Sequence, residues 1–103
     1  MSRVIELARF KVDPASEPEF LATRPAMVEA VRAQVPGLEE IALVRLDDGT
    51  WVDVVIWSDR SAAERGAEIA GALPEARRWL EHVAEDVSMD LGDVVDRAVA
   101  SSV

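Results

Sequence analysis

The side chains best suited to chemistry lie in the segment 51–57, which reads WVDVVIW. Successive residues of a strand point to opposite faces, so Trp51, Asp53 and Trp57 would share one face. A carboxylate between two indoles is typical of a ligand pocket, which combines apolar walls with few polar groups. Desolvation there would raise the pKa of Asp53 and suit it to proton transfer. In the competing interpretation the tryptophans are dimer core and Asp53 lies at a solvated strand end.

The first predicted strand adds two candidates to the same face. Glu6 and Phe10 alternate in phase with the tryptophans across the sheet, so we expect both to line the pocket. The opposite face of the sheet would then pack on the helices. It carries the aliphatic side chains of Ile5, Leu7, Val52, Val54 and Ile56.

Arg77 is the candidate cation of the site. It lies at the edge of the apolar arc of a helix predicted after Pro74, from where its guanidinium could hold a substrate oxyanion. The alternative is an arginine whose stem covers the core while its head stays in water. Arg24 would fall inside the apolar arc of a continuous first helix, but we expect a kink at Pro25 to release it to the surface.

The elements that must position these groups follow from hydrophobic periodicity and turn signals. We predict strands over 3–12, 38–46, 51–57 and 85–91, and helices over 16–35, 60–70 and 74–83. Pro36-Gly37 ends the first helix, and Asp-Gly at 48–49 marks a hairpin. With right-handed crossovers, this order gives a ferredoxin-like βαββαβ fold, an α+β class with one four-stranded antiparallel sheet and helices on one face.

The sheet face without helices needs a cover, and a second copy of the chain is the simplest one. We therefore expect a homodimer packed sheet to sheet, burying well above ~1,000 Å². The face assigned to this contact is the tryptophan face. It carries Ala8, Phe10, Trp51, Val55 and Trp57.

Composition narrows the function classes. The 103 residues suffice for one domain, expected over 1–92 with a tail over 93–103. Twenty acidic residues against eleven basic ones give a net charge of −9, which argues against binding to nucleic acid. With no Cys, one His and no Gly-rich phosphate loop, we expect no bound metal, flavin, nucleotide or heme. No apolar run approaches the ~18 residues of a membrane span and no signal peptide is visible, so the expected location is the cytoplasm.

Three stretches resemble the antibiotic biosynthesis monooxygenase family of the dimeric α+β barrel superfamily. They read VIELARFKV, QVPGLEEIALVR and DDGTWVDVVIWSDRSAAERGA, and the resemblance extends over about residues 3–92. It implies a dimeric α+β barrel and oxidation of a phenolic substrate by oxygen without metal or flavin. Of the family residues implicated in this chemistry, Trp57 resembles the Trp, Asp53 stands at the position of an Asn, and Arg77 is spaced like the Arg. The family's Tyr has no counterpart, and Ala63 is near the equivalent place.

Three functions remain open from the sequence. The first is a homodimeric, cofactor-independent monooxygenase acting on a small aromatic or polyketide-type molecule. In it Asp53 is the general base and Arg77 holds the oxyanion, while Trp51 and Trp57 stack on the substrate. The second is a cofactor-free isomerase or polyketide cyclase in which Asp53 or Glu6 moves a proton. The third is a non-catalytic binding or structural dimer.

Overall fold

A computed structural model describes residues 2–100 of the chain. Its elements are β1 (Val4–Lys11), α1 (Glu17–Gln34), β2 (Leu38–Arg45), β3 (Trp51–Trp57), α2 (Arg60–Ala72), α3 (Pro74–Leu80) and β4 (Glu85–Asp93). The predicted order of strands and helices is confirmed. None of the helices within residues 2–100 combines the length and the apolar character that crossing a membrane requires.

The four strands form one antiparallel sheet in the order β2-β3-β1-β4. β1 lies between β3 and β4, and its Glu6 and Ala8 lie opposite Val55 and Asp53 of β3. The helices pack on one face of this sheet and enclose the core there. This arrangement confirms the predicted ferredoxin-like α+β fold.

The helices cover the opposite face of the sheet from the one that the sequence predicted. Trp51 and Trp57 are buried in the core beneath the helices, not on the uncovered face. The face away from the helices, called the open face below, carries the aliphatic set Ile5, Leu7, Val52, Val54 and Ile56. The physical reason lies in α2, whose buried side consists of Ala62, Ala63 and Gly66. Such small residues leave space that large side chains of the sheet must fill, because protein interiors are close-packed.

An aromatic cluster joins α1 and α3 to the sheet. Phe20 of α1 is completely buried at its centre. Its ring stacks on Trp79 of α3 at 5.0 Å and meets Trp51 edge-on at 5.2 Å. Phe10 of β1 completes the cluster, 5.8 Å from Phe20 and 5.7 Å from Trp79. Large rings therefore fix α1 and α3 to the sheet.

Two predicted turns need the conformational freedom of glycine. Gly37 has φ of +91° after α1, and Gly49 has φ of +88° in the β2–β3 hairpin. At the other end of the chain, β4 continues to Asp93, and no helix or strand follows over residues 94–100. Residues 101–103 of the predicted tail lie outside the described part of the chain.

Candidate active site

A cavity of about 300 Å³ lies between the sheet and the helices. Its sheet side carries Glu6, Phe10, Asp53 and Trp57, and its helix side combines small residues of α2 with Trp79 of α3. Four of the residues singled out in the sequence thus line one cavity. The cavity is on the helix side of the sheet, since the tryptophan face points there.

Glu6 presents a partly buried carboxyl group to this cavity. The indole Nε1 of Trp57 donates a hydrogen bond to Glu6 Oε1 at 3.4 Å. Burial raises the pKa of the Glu6 carboxyl above its ordinary value; the hydrogen bond from Trp57 opposes this shift, and the negative charge of Asp53 adds to it. A carboxylate with a raised pKa in an apolar cavity is suited to accept a proton from a bound molecule.

Asp53, on the neighbouring strand, has a cationic partner. Arg24 Nη2 donates to Asp53 Oδ1 at 2.8 Å, and the two side chains are only 11% and 13% exposed. The guanidinium of Arg24 also lies 4.8 Å from the ring centre of Trp79, within the range of a cation–π contact. Its Nη1 is buried and finds no hydrogen-bond partner within residues 2–100. The negative charge of Asp53 is therefore balanced inside the protein.

The prediction that a kink at Pro25 releases Arg24 to the surface is wrong. α1 runs without interruption from Glu17 to Gln34, with Pro25 in its interior and Arg24 among its buried residues. Proline removes one helical hydrogen bond, which is a local cost. The ion pair with Asp53 and the packing of α1 on the core offset that cost.

Two predicted site residues lie outside the cavity. Arg77 is exposed on α3, because that helix turns Ala76 and Trp79 to the core and its arginine to solvent. Trp51 is buried against Phe20 and does not line the cavity. Placing either residue at the pocket was wrong.

Sequence reasoning missed two residues that shape the site, Arg24 and Gly66. A Cβ atom on Gly66 would lie 2.2 Å from Cη2 of Trp57, so the indole rests directly on the backbone of α2. Both residues left a signal in the sequence. Arg24 fell within the apolar arc of an unbroken helix, and the small residues Ala62, Ala63 and Gly66 recur at helical spacing.

The described residues show no metal-binding arrangement. Within residues 2–100, no three side chains of the types His, Asp, Glu or Cys are grouped so that they could hold a metal ion. The polar groups of the cavity wall are its carboxylates and the indole N–H groups of Trp57 and Trp79; within residues 2–100 the Trp79 Nε1 has no hydrogen-bond partner. The carboxylates can accept hydrogen bonds or protons from a ligand held between aromatic and small apolar side chains.

The fold and the cavity define the class of this protein, a ferredoxin-like α+β domain with a ligand-sized cavity beneath its helices. Residues 3–65 match the model of the family described as antibiotic biosynthesis monooxygenase. Because this match covers more than half of the chain, the chain belongs to the antibiotic biosynthesis monooxygenase family.

Solved structures share this fold. A Bordetella bronchiseptica protein carrying the family's name superposes with a TM-score of 0.76 at 20% identity, over 92% of this chain and 99% of that one. A Caulobacter crescentus protein carrying the same name superposes with a TM-score of 0.73 at 19% identity, over 92% of each chain. SnoaB, a cofactor-independent oxygenase from Streptomyces nogalater, gives 0.67 at 23% identity, over 99% of this chain and all of that one (100%). No curated protein sequence is significantly similar to this chain.

Proposed function

We propose that this protein is a cofactor-independent oxygenase that oxidises a small aromatic molecule bearing a phenolic hydroxyl group. The observation that carries the proposal is the position of Glu6, a carboxyl group with a raised pKa in the wall of an aromatic-lined cavity. Membership of the family supports the reaction class. The cavity volume of about 300 Å³ falls at the lower end of the range for small-molecule sites.

In this proposal Glu6 accepts the phenolic proton. Asp53 is less suited to the role that its sequence position suggested, because a proton on Asp53 would leave the guanidinium of Arg24 buried without its counter-charge. Asp53 is instead a positioning residue that holds Arg24 and places negative charge near Glu6. Trp57 orients the Glu6 carboxyl through its indole N–H.

The reaction balances without a further reductant. Removal of the hydroxyl proton makes the ring electron-rich, so that O2 can oxidise it directly. With 1-naphthol as the example, one atom of O2 becomes the new carbonyl oxygen of 1,4-naphthoquinone and the other leaves as water. The substrate gives up the electrons that O2 takes, and Glu6 returns its proton to the water formed. Phe10, Trp57 and Trp79 offer aromatic surfaces for the ring to pack against.

The test is oxygen uptake and quinone formation with 1-naphthol, corrected for the reaction without protein. We expect Glu6→Gln to lower kcat by about 100-fold, the usual effect of losing a general base. Glu68→Gln is the matched control, because Glu68 is an exposed residue of α2 outside the cavity; its kcat should equal that of the unaltered protein. Full turnover by Glu6→Gln would contradict the role of Glu6. Substrate conversion without oxygen uptake would favour the isomerase or cyclase.

We also propose that the protein is a homodimer whose two copies meet through the open face. The sequence assigned this contact to the wrong side chains, since the tryptophan face is covered by the helices. The open face supports the pairing because neighbouring strands present aliphatic side chains there and no helix of residues 2–100 packs on it; Val52 is buried, and Ile5, Leu7, Val54 and Ile56 are partly exposed. An uncovered apolar sheet of this kind marks an interaction surface.

A further inference from the structure

We infer that the cavity selects aromatic ligands that carry no acidic group, so that the molecule it takes is a neutral phenol of about naphthalene size. The hydroxyl group in this description rests on the proposed oxygenase function. The exclusion of acidic ligands does not rest on that function; its main ground is the charge of the cavity wall.

All charged residues that line the cavity are acidic. Glu6 comes from β1, Asp53 from β3 and Asp86 from β4, and within residues 2–100 no Lys, Arg or His lines the cavity. The three helices contribute no charged residue to the lining. Arg24 of α1 is the cation packed behind this wall, and its one positive charge is balanced by Asp53 at 2.8 Å. A ligand anion that enters the cavity therefore meets the charges of Glu6 and Asp86 without a free cation to offset them.

The electrostatic repulsion between a ligand anion and the carboxylates of the cavity wall is strong. Charges interact more strongly in a partly buried cavity than in bulk water, because the surroundings screen them less. A ligand carboxylate, sulfate or phosphate would also lose its hydration shell without gaining a cationic partner from the lining residues, which is costly. The net charge of −9 on the whole chain adds repulsion at longer range. A neutral hydroxyl group is not repelled by these charges, and it can donate a hydrogen bond to the Glu6 carboxylate.

The volume of the cavity sets the size of the ligand. A cavity of about 300 Å³ corresponds to roughly ten water molecules at ~30 Å³ each. One or two fused rings match this volume. The aromatic walls and the small residues of α2 favour a flat apolar body, and naphthalene derivatives are therefore suitable probes.

The experiment compares 2-naphthol with 2-naphthoate by calorimetric titration of the full chain at about pH 8. Phenols ionise near pH 10 and carboxylic acids near pH 4, so the two probes differ in charge at nearly equal size. We expect 2-naphthol to bind at least tenfold more tightly than 2-naphthoate. Equal affinities, tighter binding of 2-naphthoate, or failure of 2-naphthol to bind at millimolar concentration would each overturn the inference.

Charge-neutralising variants locate the source of the selection. Asp86→Asn removes an exposed charge at the cavity, and Glu6→Gln removes the partly buried one; each should raise the affinity for 2-naphthoate several-fold. Glu68→Gln makes the same change in net charge outside the cavity and should leave the affinity ratio unchanged. An equal effect of Glu68→Gln would assign the selection to the charge of the whole protein and overturn the inference. If 2-naphthol binds selectively but no neutral naphthol causes oxygen uptake, the proposed oxygenase function is wrong. The inference about ligand selection would still hold.

Discussion

Glu6 and Asp53 lie on adjacent strands and face the same cavity, yet their surroundings differ. The Asp53 carboxylate is paired with the buried guanidinium of Arg24. Within residues 2–100, the Glu6 carboxyl group accepts only the indole N–H of Trp57, at 3.4 Å. Burial raises the pKa of Glu6 against the effect of that hydrogen bond. Two carboxyl groups in unlike environments can take unlike roles, one as a proton acceptor and one as an anchor.

The raised pKa of Glu6 predicts a specific dependence of stability on pH. A carboxyl group whose pKa is higher in the folded state contributes stability that is fully present below its unfolded value near 4.5. That contribution is lost as the pH rises through the folded pKa. The Glu6→Gln variant has no carboxyl group to ionise at this position, so it does not lose this contribution. The melting temperature of the variant minus that of the unaltered protein should therefore increase between about pH 4 and pH 8. A flat or falling difference in paired melting curves would show that Glu6 is not desolvated.

The ion pair between Arg24 and Asp53 should matter far more than an exposed pair. Arg24→Met leaves the Asp53 carboxylate buried without a partner, which should cost about 3–5 kcal/mol of unfolding free energy. The control is Arg60→Met, which breaks the exposed 3.3 Å pair with Asp93 and should cost less than about 1 kcal/mol. Urea denaturation measures both. Equal losses in the two variants would mean that the buried pair is not formed.

At the scale of elements, the contact between α2 and β3 positions the site. α2 presents alanine and glycine to the sheet, and the large indole of Trp57 on β3 packs against them. Trp57 lies so close to the α2 backbone at Gly66 that no side chain fits between them. The same indole donates to Glu6. Helix packing and the orientation of the candidate base are thus linked through one side chain.

Substituting the two glycines of α2 by alanine should have opposite effects. Gly66→Ala would place Cβ 2.2 Å from the ring of Trp57 and force the rigid indole to move. We expect a net loss of about 1–3 kcal/mol. At Gly71 nothing lies within 4 Å of an added Cβ, so Gly71→Ala should gain up to about 1 kcal/mol from helix propensity. The check is urea denaturation of both variants, and a Gly66→Ala variant as stable as Gly71→Ala would contradict this packing.

For the whole molecule, the helices cover one face of the sheet and leave the other open. The covered face holds the aromatic cluster and the cavity, so each copy can contain a complete cavity of its own. The open face holds aliphatic side chains on β1 and β3 together with the ion pair of Arg9 and Asp90 at 2.9 Å. In the proposed dimer this face supplies association energy, while the chemistry stays beneath the helices.

A charge in the middle of the open face should separate the proposed dimer. Val54 lies on the central part of β3, paired with Leu7 on one side and Ala42 on the other. Val54→Glu should yield a monomer in light scattering at micromolar concentration, whereas the unaltered chain should be dimeric. Leu21→Glu adds the same charge at an exposed position on α1 and should remain dimeric. A monomeric unaltered chain would exclude the pairing.

The sequence by itself determined the order of the elements, their turns and the family. These features depend on local signals, namely apolar spacing, Pro36-Gly37 and the Asp-Gly hairpin, which act over a few residues. The same local patterns placed Glu6, Phe10, Asp53 and Trp57 on one face, because strand alternation follows from backbone geometry. All four line the cavity.

Only the tertiary structure decided which face the helices cover and where the arginines go. Alternation separates two sets of side chains but does not say which set lies beneath a helix. That choice depends on the volume available at α2, whose small residues leave room for the large indole of Trp57. In the same way, the local cost of Pro25 favoured a kink, but the distant partner Asp53 and the core contacts of α1 keep the helix continuous and Arg24 buried. Such contacts join residues far apart in the chain, so their energy cannot be predicted from the pattern of any short stretch of sequence.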